Sequence, residues 1–382
     1  MQNLNLKDKN LYYIGGIVRD EILNKESFDY DITYVGNAIE FCKNLEKNNI
    51  GKILQINEPF GTVRMLINNK EVDIASTRDE IYPEKGHLPV VSDIGCELKK
   101  DVLRRDFTIN AMAKSTLTNE IIDYTNGLED IKNKTLRVLH DNSFIDDPTR
   151  ILRGLKFSVR FGFSLDNHTK KLQDTYLENI NRDMSYKRLK KELIETFNLN
   201  KQKAFDLFFE QKIYKLLSEK ELKKPEYNIE NLVKTYPVKH VWLVYIGWII
   251  SDNFSQNLHQ NLPLNLPQNI PLTKDEKKII DDYRTLMDAN IDSDNYSIYK
   301  NFENKATEAI LLYTIMSGKD YGLKYFKIKD IKVKINGNDL KNIGISPSKK
   351  YSDCFDYILK NKLKNPDMTK TEELELAKHF FK

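Results

Sequence analysis

The sequence has few cysteines and lacks a run of apolar residues long enough to cross a membrane. Its three cysteines, Cys42, Cys96 and Cys354, are far apart and show neither a disulfide framework nor metal-ligand spacing. The most apolar run, residues 241–250, is too short to span a bilayer, and we expect a core helix there. The first ten residues, MQNLNLKDKN, have no apolar core and so do not form a signal peptide. These absences predict a protein of the reducing cytoplasm.

The composition is that of a globular protein with more than one core. The chain has 382 residues, 40% of them hydrophobic and 30% charged, which predicts two or more domains. A net charge of +4 is too small to indicate nucleic-acid binding by itself, so its distribution matters. None of the six histidines has metal-ligand spacing, which argues against a hydrolytic metal site.

Residues 13–33, YIGGIVRDEILNKESFDYDIT, combine a strand end, a glycine turn, a helix start and two acids. The apolar run at 12–14 stops at Gly15 and Gly16, and residues 18–23 follow helical spacing. Two glycines allow close approach of a ligand, and the helix behind them directs free N–H groups and its positive end outward. This unit therefore predicts a phosphate site.

Three acids of this region are candidate metal ligands. Asp29 and Asp31 are separated by one residue on a predicted strand, so both carboxylates project from one face. Residues 62–75 predict a hairpin that places Asp73 on its outgoing strand. Alone, Asp73 is best interpreted as a solvent-facing strand acid. Together with Asp29 and Asp31, however, Asp73 favours a site for two hard cations.

The pattern of elements changes along the chain. Strands predicted at 52–55, 62–67 and 71–75 and a helix at 38–48 indicate a mixed α/β start. Residues 76–95 contain two prolines and two glycines and predict a mobile surface loop. After His140 the pattern becomes helical, and residues 252–272 predict an irregular linker.

Two charged clusters carry further binding chemistry. Arg104, Arg105 and Asp106 head the segment LRRDFTINAMA and could grip a nucleotide's phosphate and ribose, although a surface salt-bridge cluster is the safer interpretation for the tripeptide alone. Asp147 and Arg150 begin a polar stripe that recurs every three residues along DDPTRILRGLKFSVRFGF. Such a stripe is usually a solvated face, but an acid and an arginine one turn apart could also read the edge of a base.

In this order, GGIVRD with DYD, RRDFTINAMA, DDPTRILRGLKF and SYKRLKKEL resemble the class II tRNA nucleotidyltransferases, the CCA-adding enzymes and bacterial poly(A) polymerases. The resemblance covers roughly residues 10–215, and INGNDLKNIGISP at 335–347 is a weaker match to the tail of bacterial CCA-adding enzymes. It implies an α/β (α+β) nucleotidyltransferase head with a mixed sheet, followed by an all-helical neck, body and tail. The corresponding ranges are 1–138 for the head, 139–198 for the neck, 199–272 for the body with its linker, and 273–382 for the tail.

The resemblance also implies roles for individual residues. Asp29 and Asp31 would bind two Mg²⁺ ions, with Asp73 assisting in catalysis. The nucleotide would be bound by Gly15, Gly16, Arg19, Arg105, Asp106, Asn110, Asp147, Arg150, Arg153 and Lys156. Within this set, Asp147 and Arg150 would pair with the base, and Arg153 and Lys156 would support the pocket.

The chain departs from the family's usual pattern at several positions. Asp146 replaces the usual Glu of the template motif, Lys156 stands where arginine is general, and Lys187 replaces a Glu. A lysine lacks the planar fork of arginine, so Lys156 cannot make the same bidentate contact. Arg188 and Glu192 keep the i, i+4 spacing of an ion pair.

The resemblance predicts an enzyme that adds CCA to the 3′ end of tRNA from CTP and ATP without a template. We expect it to bind neither a membrane nor an obligate protein partner. A-adding and poly(A)-synthesising enzymes share the head motifs and stay open as alternatives, as does a non-catalytic RNA-binding protein, which the three acids disfavour. The length of the 76–95 segment is typical of CCA-adding and A-adding enzymes, whereas CC-only relatives tend to lack it. Residues 182–224 hold twelve Lys or Arg against seven acids, and 319–350 hold nine Lys against three, so we expect tRNA contacts there unless these are solvated helix faces.

Overall fold

A computed structural model describes residues 4, 6–26, 30–255, 270–347 and 349–382 of the chain. Their contacts divide into two compact units. The first runs to Leu222 and includes Ile270 and Pro271, and the second contains the remaining described residues from Lys223 onward. Most of the predicted linker at 252–272 lies outside the described residues.

The strands all belong to the first unit. They are β1 (Leu11–Ile14), β2 (Tyr30–Tyr34), β3 (Lys52–Asn57), β4 (Thr62–Ile67), β5 (Lys70–Ser76), β6 (Arg78–Ile81), β7 (Val90–Ile94), β8 (Met112–Ser115), β9 (Ile121–Asp123), β10 (Thr135–Leu136) and β11 (Ser164–Leu165). Seven of them form one sheet in the order β3-β4-β5-β2-β1-β8-β9. Within it β2 and β5 pair in parallel and the other neighbours are antiparallel, which confirms the predicted mixed sheet.

The predicted hairpin at 62–75 is present as β4 and β5. Its two turn residues, Asn68 and Asn69, have φ values of 50° and 60°, a conformation that asparagine tolerates and that two-residue hairpin turns require. Alternate residues of β4 and β5 are buried, including Met65 and Val72, and helix α2 (Ala38–Lys47) packs on this pair. The intervening residues are therefore left to face the opposite side of the sheet.

The prediction of a loop over 76–95 is wrong for its two ends, because β6 and β7 pair there as an antiparallel ribbon. The ribbon's apolar residues Ile81 and Val90 are register partners but are more than half exposed. Ion pairs of Arg78 and Arg104 with Glu80 hold the ribbon in place instead. A strand stabilised in this way leaves no alternating apolar pattern in the sequence.

Helices make up the rest of the first unit. They are α1 (Gly16–Ile22), α2, α3 (Leu98–Leu103), α4 (Gly127–Lys132), α5 (Ser143–Asp146), α6 (Thr149–Phe161), α7 (Asn167–Glu178), α8 (Tyr186–Phe197) and α9 (Gln202–Glu210). The change to helices after His140 is thus confirmed. Helix α6 packs against α8 and α9, and this contact fixes the residues that α6 presents to the head.

The second unit is helical throughout its described part. Its helices are α10 (Ile229–Thr235), α11 (Val241–Ser255), α12 (Lys274–Asp288), α13 (Asn295–Phe302), α14 (Thr307–Ser317), α15 (Tyr321–Ile328), α16 (Gly337–Asn342), α17 (Lys350–Lys362) and α18 (Lys370–Phe381). The predicted core helix at 241–250 is confirmed, since Trp242 and Tyr245 of α11 are fully buried. No helix in the described ranges is long and apolar enough to cross a membrane.

Candidate active site

The parallel pairing of β2 with β5 brings two of the three candidate acids together. Asp31 and Asp73 are direct register partners, and both line a cavity of about 470 Å³ at this point of the sheet. Asp29 lies outside the described residues. Within the described chain no group of three or more His, Cys, Asp or Glu residues is arranged to hold a metal ion. The metal roles of the acids therefore stay predictions.

Asp73 is held by an arginine of the next strand. Arg64 of β4 is its register partner, and its Nε and Nη2 donate to the two carboxylate oxygens at 2.7 and 2.9 Å. Both side chains are about half exposed, so the pair contributes little to stability. Asp73 is thus neither buried nor simply solvated.

The hairpin turn contains a signal that could have identified Arg64 from the sequence. A two-residue turn at Asn68 and Asn69 fixes the register, so that residues whose numbers sum to the same value face each other. That rule places position 64 opposite position 73. The register of the predicted hairpin therefore indicates Arg64 as the partner of Asp73.

The glycine turn adjoins the same cavity. Gly15 has φ 75° and ψ −126°, a region that only glycine adopts readily. A Cβ atom there would lie 2.9 Å from Nη1 of Arg105, so glycine also leaves room for this guanidinium. The turn thus brings the backbone at Gly15 close to an arginine that lines the cavity.

Arg105 has unused hydrogen-bonding capacity. Its Nη2 donates to Asp101 at 3.2 Å, whereas its Nε is buried and has no hydrogen-bond partner among the described residues. Burial lowers the pKa of Arg105, and the nearby charges of Asp101 and Asp31 only partly offset this effect. An anionic group bound in the cavity would satisfy the buried donor.

Arg19 points into the protein. Its Nη1 donates to Oδ1 of Asn110 at 2.5 Å, its Nε donates to Asp20 at 2.9 Å, and its guanidinium lies 4.5 Å from the ring centre of Phe161. Burial lowers the pKa of Arg19, and the carboxylate of Asp20 opposes that shift. To bind a triphosphate as predicted, Arg19 would have to divide its N–H donors between the phosphate and these partners.

Asp106 and Asn110 continue this chain of contacts toward α6. Asp106 accepts from Asn110 at 3.1 Å and from Nε of Arg153 at 2.7 Å. Burial by itself would raise the pKa of Asp106, but the charge of Arg153 and these hydrogen bonds lower it well below its usual value. Asp106 is therefore a charged anchor for Arg153.

The polar stripe of α6 is not a solvated face. Lys156 is buried and donates to Glu192 at 2.7 Å and to Glu195 at 2.5 Å, and Arg153 reaches Glu192 at 3.3 Å. The expected pairing of Arg188 with Glu192 is replaced, because Glu192 binds the cations of α6 and Arg188 turns toward Asp147. The acids of α8 thus neutralise α6.

The two candidate base readers are buried. Asp147 precedes α6, and its Oδ1 accepts from the backbone N–H of Thr149 at 3.1 Å and from the Thr149 hydroxyl at 2.6 Å. Arg150 donates through Nη1 to Ser143 at 2.7 Å and through Nη2 to the backbone oxygen of Arg104 at 3.1 Å. Asp147 therefore binds the first residue of α6, and the hydrogen bonds of Asp147 and Arg150 fix the orientations of both side chains.

The chain is similar to proteins that are named as tRNA nucleotidyltransferases. Residues 11–137 match the poly A polymerase head domain. The A-adding tRNA nucleotidyltransferase of Aquifex aeolicus is 45% identical over 164 residues, which cover 42% of this chain but only 20% of that protein. The A-adding enzyme of Halalkalibacterium halodurans is 26% identical over 97% of this chain and 89% of its own length.

Solved structures agree over nearly the whole chain. An apo form of a CCA-adding enzyme superposes with a TM-score of 0.78 at 26% identity, covering 97% of this chain and 91% of that one. The Thermotoga maritima CCA-adding enzyme complexed with tRNA gives a TM-score of 0.73 at 25% identity and the same coverage. The chain thus matches a poly A polymerase head domain over residues 11–137 and is similar over nearly its whole length to proteins named CCA-adding and A-adding enzymes.

Proposed function

We propose that this chain adds CCA to the 3′ end of tRNA from CTP and ATP, without a nucleic-acid template and with release of pyrophosphate. The observation that carries the proposal is the cavity in which Asp31 and Asp73 lie side by side next to Arg105 and its buried, unpartnered Nε. Carboxylates beside a cation with a free donor suit a substrate that combines a triphosphate with metal ions.

The arginines that line the cavity would have different roles in binding a triphosphate. Arg78 and Arg104 are tied to Glu80, so they shape the wall of the cavity. Arg105 keeps its Nε donor for a phosphate oxygen. Gly15 leaves the space in which this guanidinium and the substrate can meet. Arg19 and Asn110 support the turn from behind through their mutual hydrogen bond.

The donor set on β2 and β5 fits magnesium. Asp31 and Asp73 offer the hard carboxylate oxygens that this ion prefers, and Asp29 would complete the set from two positions earlier in the sequence. Bound magnesium would lower the pKa of the RNA 3′-hydroxyl and stabilise the leaving pyrophosphate. Asp73 would exchange its contact with Arg64 for this role.

Asp147 and Arg150 supply a chemical reason for choosing C and A. Cytosine and adenine both carry an exocyclic amine, whereas uracil and guanine carry a carbonyl oxygen at the corresponding position. The Asp147 carboxylate can accept from an amine but not from a carbonyl. Arg150 would donate to the neighbouring ring nitrogen, so the protein side chains replace a template strand.

Arg153, Lys156 and Asp106 would act indirectly. Each is engaged in buried ion pairs, Arg153 with Asp106 and Glu192, and Lys156 with Glu192 and Glu195. They would keep α6 in place so that Asp147 and Arg150 face the base. The basic stretches at 182–224 and 319–350 would bind the tRNA backbone, as befits relatives whose solved complexes contain tRNA.

Addition of A alone is a second candidate. It is favoured by the 45% identity to an A-adding enzyme over 164 residues, although that match covers a fifth of the relative's length. The motifs of the head are shared by both types, so the distinction requires a direct measurement.

The test uses tRNAs that end before C74, after C74 and after C75, each incubated with magnesium and one or more NTPs. We expect all three to be extended to CCA and then to stop, as sequencing of the products would reveal. Growth of only the C75-ended RNA would establish A addition, and long A tracts would establish poly(A) synthesis. If none of the three RNAs is extended, the proposal of nucleotidyl transfer fails.

A further inference from the structure

We propose that Arg188, near the start of α8, is a positioning residue that fixes the Asp147 carboxylate and thereby sets which nucleotides the site accepts. The inference rests on the proposed transfer to RNA. It assigns specificity to a residue that does not itself touch the base.

Arg188 binds the Asp147 carboxylate through one terminal nitrogen and a backbone carbonyl through the other. Its Nη2 donates to Oδ2 of Asp147 at 2.5 Å, and its Nη1 donates to the carbonyl oxygen of His87 at 3.2 Å. The Asp147 side chain is 6% exposed and that of Arg188 is 27% exposed. Since the guanidinium is planar, the two contacts together define its orientation and therefore that of the carboxylate.

The contacts of Asp147 leave one acceptor position for a base. Oδ1 already accepts twice, from the N–H and the hydroxyl of Thr149. Oδ2 accepts from Arg188, and a carboxylate oxygen can accept two hydrogen bonds. The second position on Oδ2 is therefore the place where the exocyclic amine of C or A would donate.

Arg150 is held independently of Arg188. Its Nη groups donate to Ser143, Arg104 and the hydroxyl of Tyr82, whereas the side chain of Arg188 donates to Asp147 and His87. Its Nε lies 3.9 Å from Oδ2 of Asp147. A change at Arg188 should consequently act through the acid of the reading pair and leave the arginine in place.

Removal of Arg188 would leave Arg150 as the nearest cation to the buried Asp147 carboxylate. The carboxylate would then turn toward Nε of Arg150, because a buried charge seeks a partner. In this orientation the second acceptor position of Oδ2 would no longer face the exocyclic amine of the base. Selection of CTP and ATP over UTP and GTP would fall, whereas the triphosphate site on β2 and β5 would be unchanged.

The experiment measures kcat/KM for each of the four NTPs with full-length protein and truncated tRNA. For Arg188→Met we expect the preference for CTP over UTP to fall about tenfold, the range of one well-formed base contact. Arg188→Lys keeps the charge on a single nitrogen and should retain part of the preference. The control Lys170→Met removes a cation that is paired with Asp174 on α7, and it should leave selection as in the wild type.

A double mutant tests whether Arg188 acts through Asp147. If it does, Arg188→Met should cause little further loss of selection in an Asp147→Asn background, because both changes disable the same acceptor. Fully additive losses would overturn the inference. So would a loss confined to the KM for tRNA with selection unchanged, since that result would make Arg188 an RNA contact.

Failure of the inference can be told apart from failure of the proposed function. A wild-type protein that transfers no nucleotide contradicts both, whereas a selective wild type with an equally selective Arg188→Met contradicts the inference alone. The Tm with CTP or UTP and no RNA provides a second measurement, in which the difference between the two nucleotides should shrink in the variant. If the Tm of Arg188→Met without nucleotide is strongly lowered, the Arg188→Lys variant replaces it as the test. Wild-type nucleotide selection by Arg188→Lys would then overturn the inference.

Discussion

Two like charges on adjacent strands are tolerated at this site because each has a cation nearby. Asp73 is paired with Arg64, and the charge of Asp31 acts on the partly buried guanidinium of Arg105. Without these arginines, carboxylates at neighbouring register positions would repel each other and disfavour the folded sheet. Under the proposed function, a divalent ion between the two carboxylates would relieve this repulsion, so the proposed ligands would cost stability in the absence of the ion.

Replacing Asp31 by asparagine should separate these two effects. We expect Asp31→Asn to lower nucleotide transfer by about a thousandfold, because a metal ligand worth several kcal/mol is lost. Thermal stability should be unchanged or slightly higher, because the repulsion with Asp73 is relieved. Asp93→Asn, an exposed change on β7 outside the cavity, is the control and should keep wild-type activity. Wild-type transfer by Asp31→Asn would remove Asp31 from the catalytic set.

Gly15 offers a test of the space around Arg105. Gly15→Ala should lower both stability, by about 1–2 kcal/mol for the strained φ, and transfer, because the new Cβ would displace the guanidinium. Gly162→Ala is the matched control, since Gly162 also has φ 75° but nothing lies within 4 Å of its added Cβ. Denaturant unfolding and transfer rates measure the two effects. Equal transfer by both variants would mean that Arg105 is not positioned by this turn.

Elements with local signals could be predicted from the sequence, and elements held by distant charges could not. The hairpin of β4 and β5 has a two-residue turn and alternating burial, and it was predicted correctly. The ribbon of β6 and β7 was missed because Glu80 and Arg104 hold it through ion pairs. Likewise Arg153 was predicted on a polar stripe, but its partners lie 47 residues earlier and 39 residues later, beyond the reach of helical periodicity.

Asp101 joins the ribbon to α3, and its removal should loosen both. It is almost fully buried and accepts from Arg104 at 2.7 Å, from Arg105 at 3.2 Å and from the backbone of Arg78 at 3.2 Å. Asp101→Asn should cost roughly 3 kcal/mol, because the partly buried Arg104 and Arg105 lose a fully buried counter-charge. The control Glu97→Gln changes an exposed acid just before the same helix and should have little effect.

The free energy of unfolding that is lost in Asp101→Asn should become smaller as the pH falls into the acid range. Burial raises the pKa of Asp101, but the charges of Arg105 and Arg104 outweigh burial and lower it below the ordinary value. Stability from a lowered pKa is present above the unfolded pKa of about 3.9 and is lost as the pH falls through the folded pKa. The difference in unfolding free energy between wild type and variant should thus be constant from about pH 5 to 8 and shrink in acid. A difference that instead grew as the pH fell would contradict this assignment.

At the scale of the whole molecule, the sequence indicated a mixed sheet followed by helices, and the structure confirms that order. The four domain ranges stay predictions, because the described residues divide into two units near Leu222. Net charge was a poor guide to function here. A total of +4 hides a strongly basic stretch at 319–350, since acids elsewhere in the chain balance it.

That stretch provides the test for RNA binding by the second unit. Lys327, Lys329 and Lys332 are exposed, and we expect their joint replacement by Gln to weaken tRNA binding and to reduce its dependence on salt. Each phosphate contact that is lost should flatten the slope of log K against log salt by about 0.9, and at 0.1 M salt it should weaken binding by up to roughly tenfold. The control replaces three exposed lysines of the first unit, Lys43, Lys47 and Lys52, and should keep the wild-type slope. Equal slopes in the two triple variants would show that these lysines of 319–350 are solvated and that tRNA binds elsewhere on the protein.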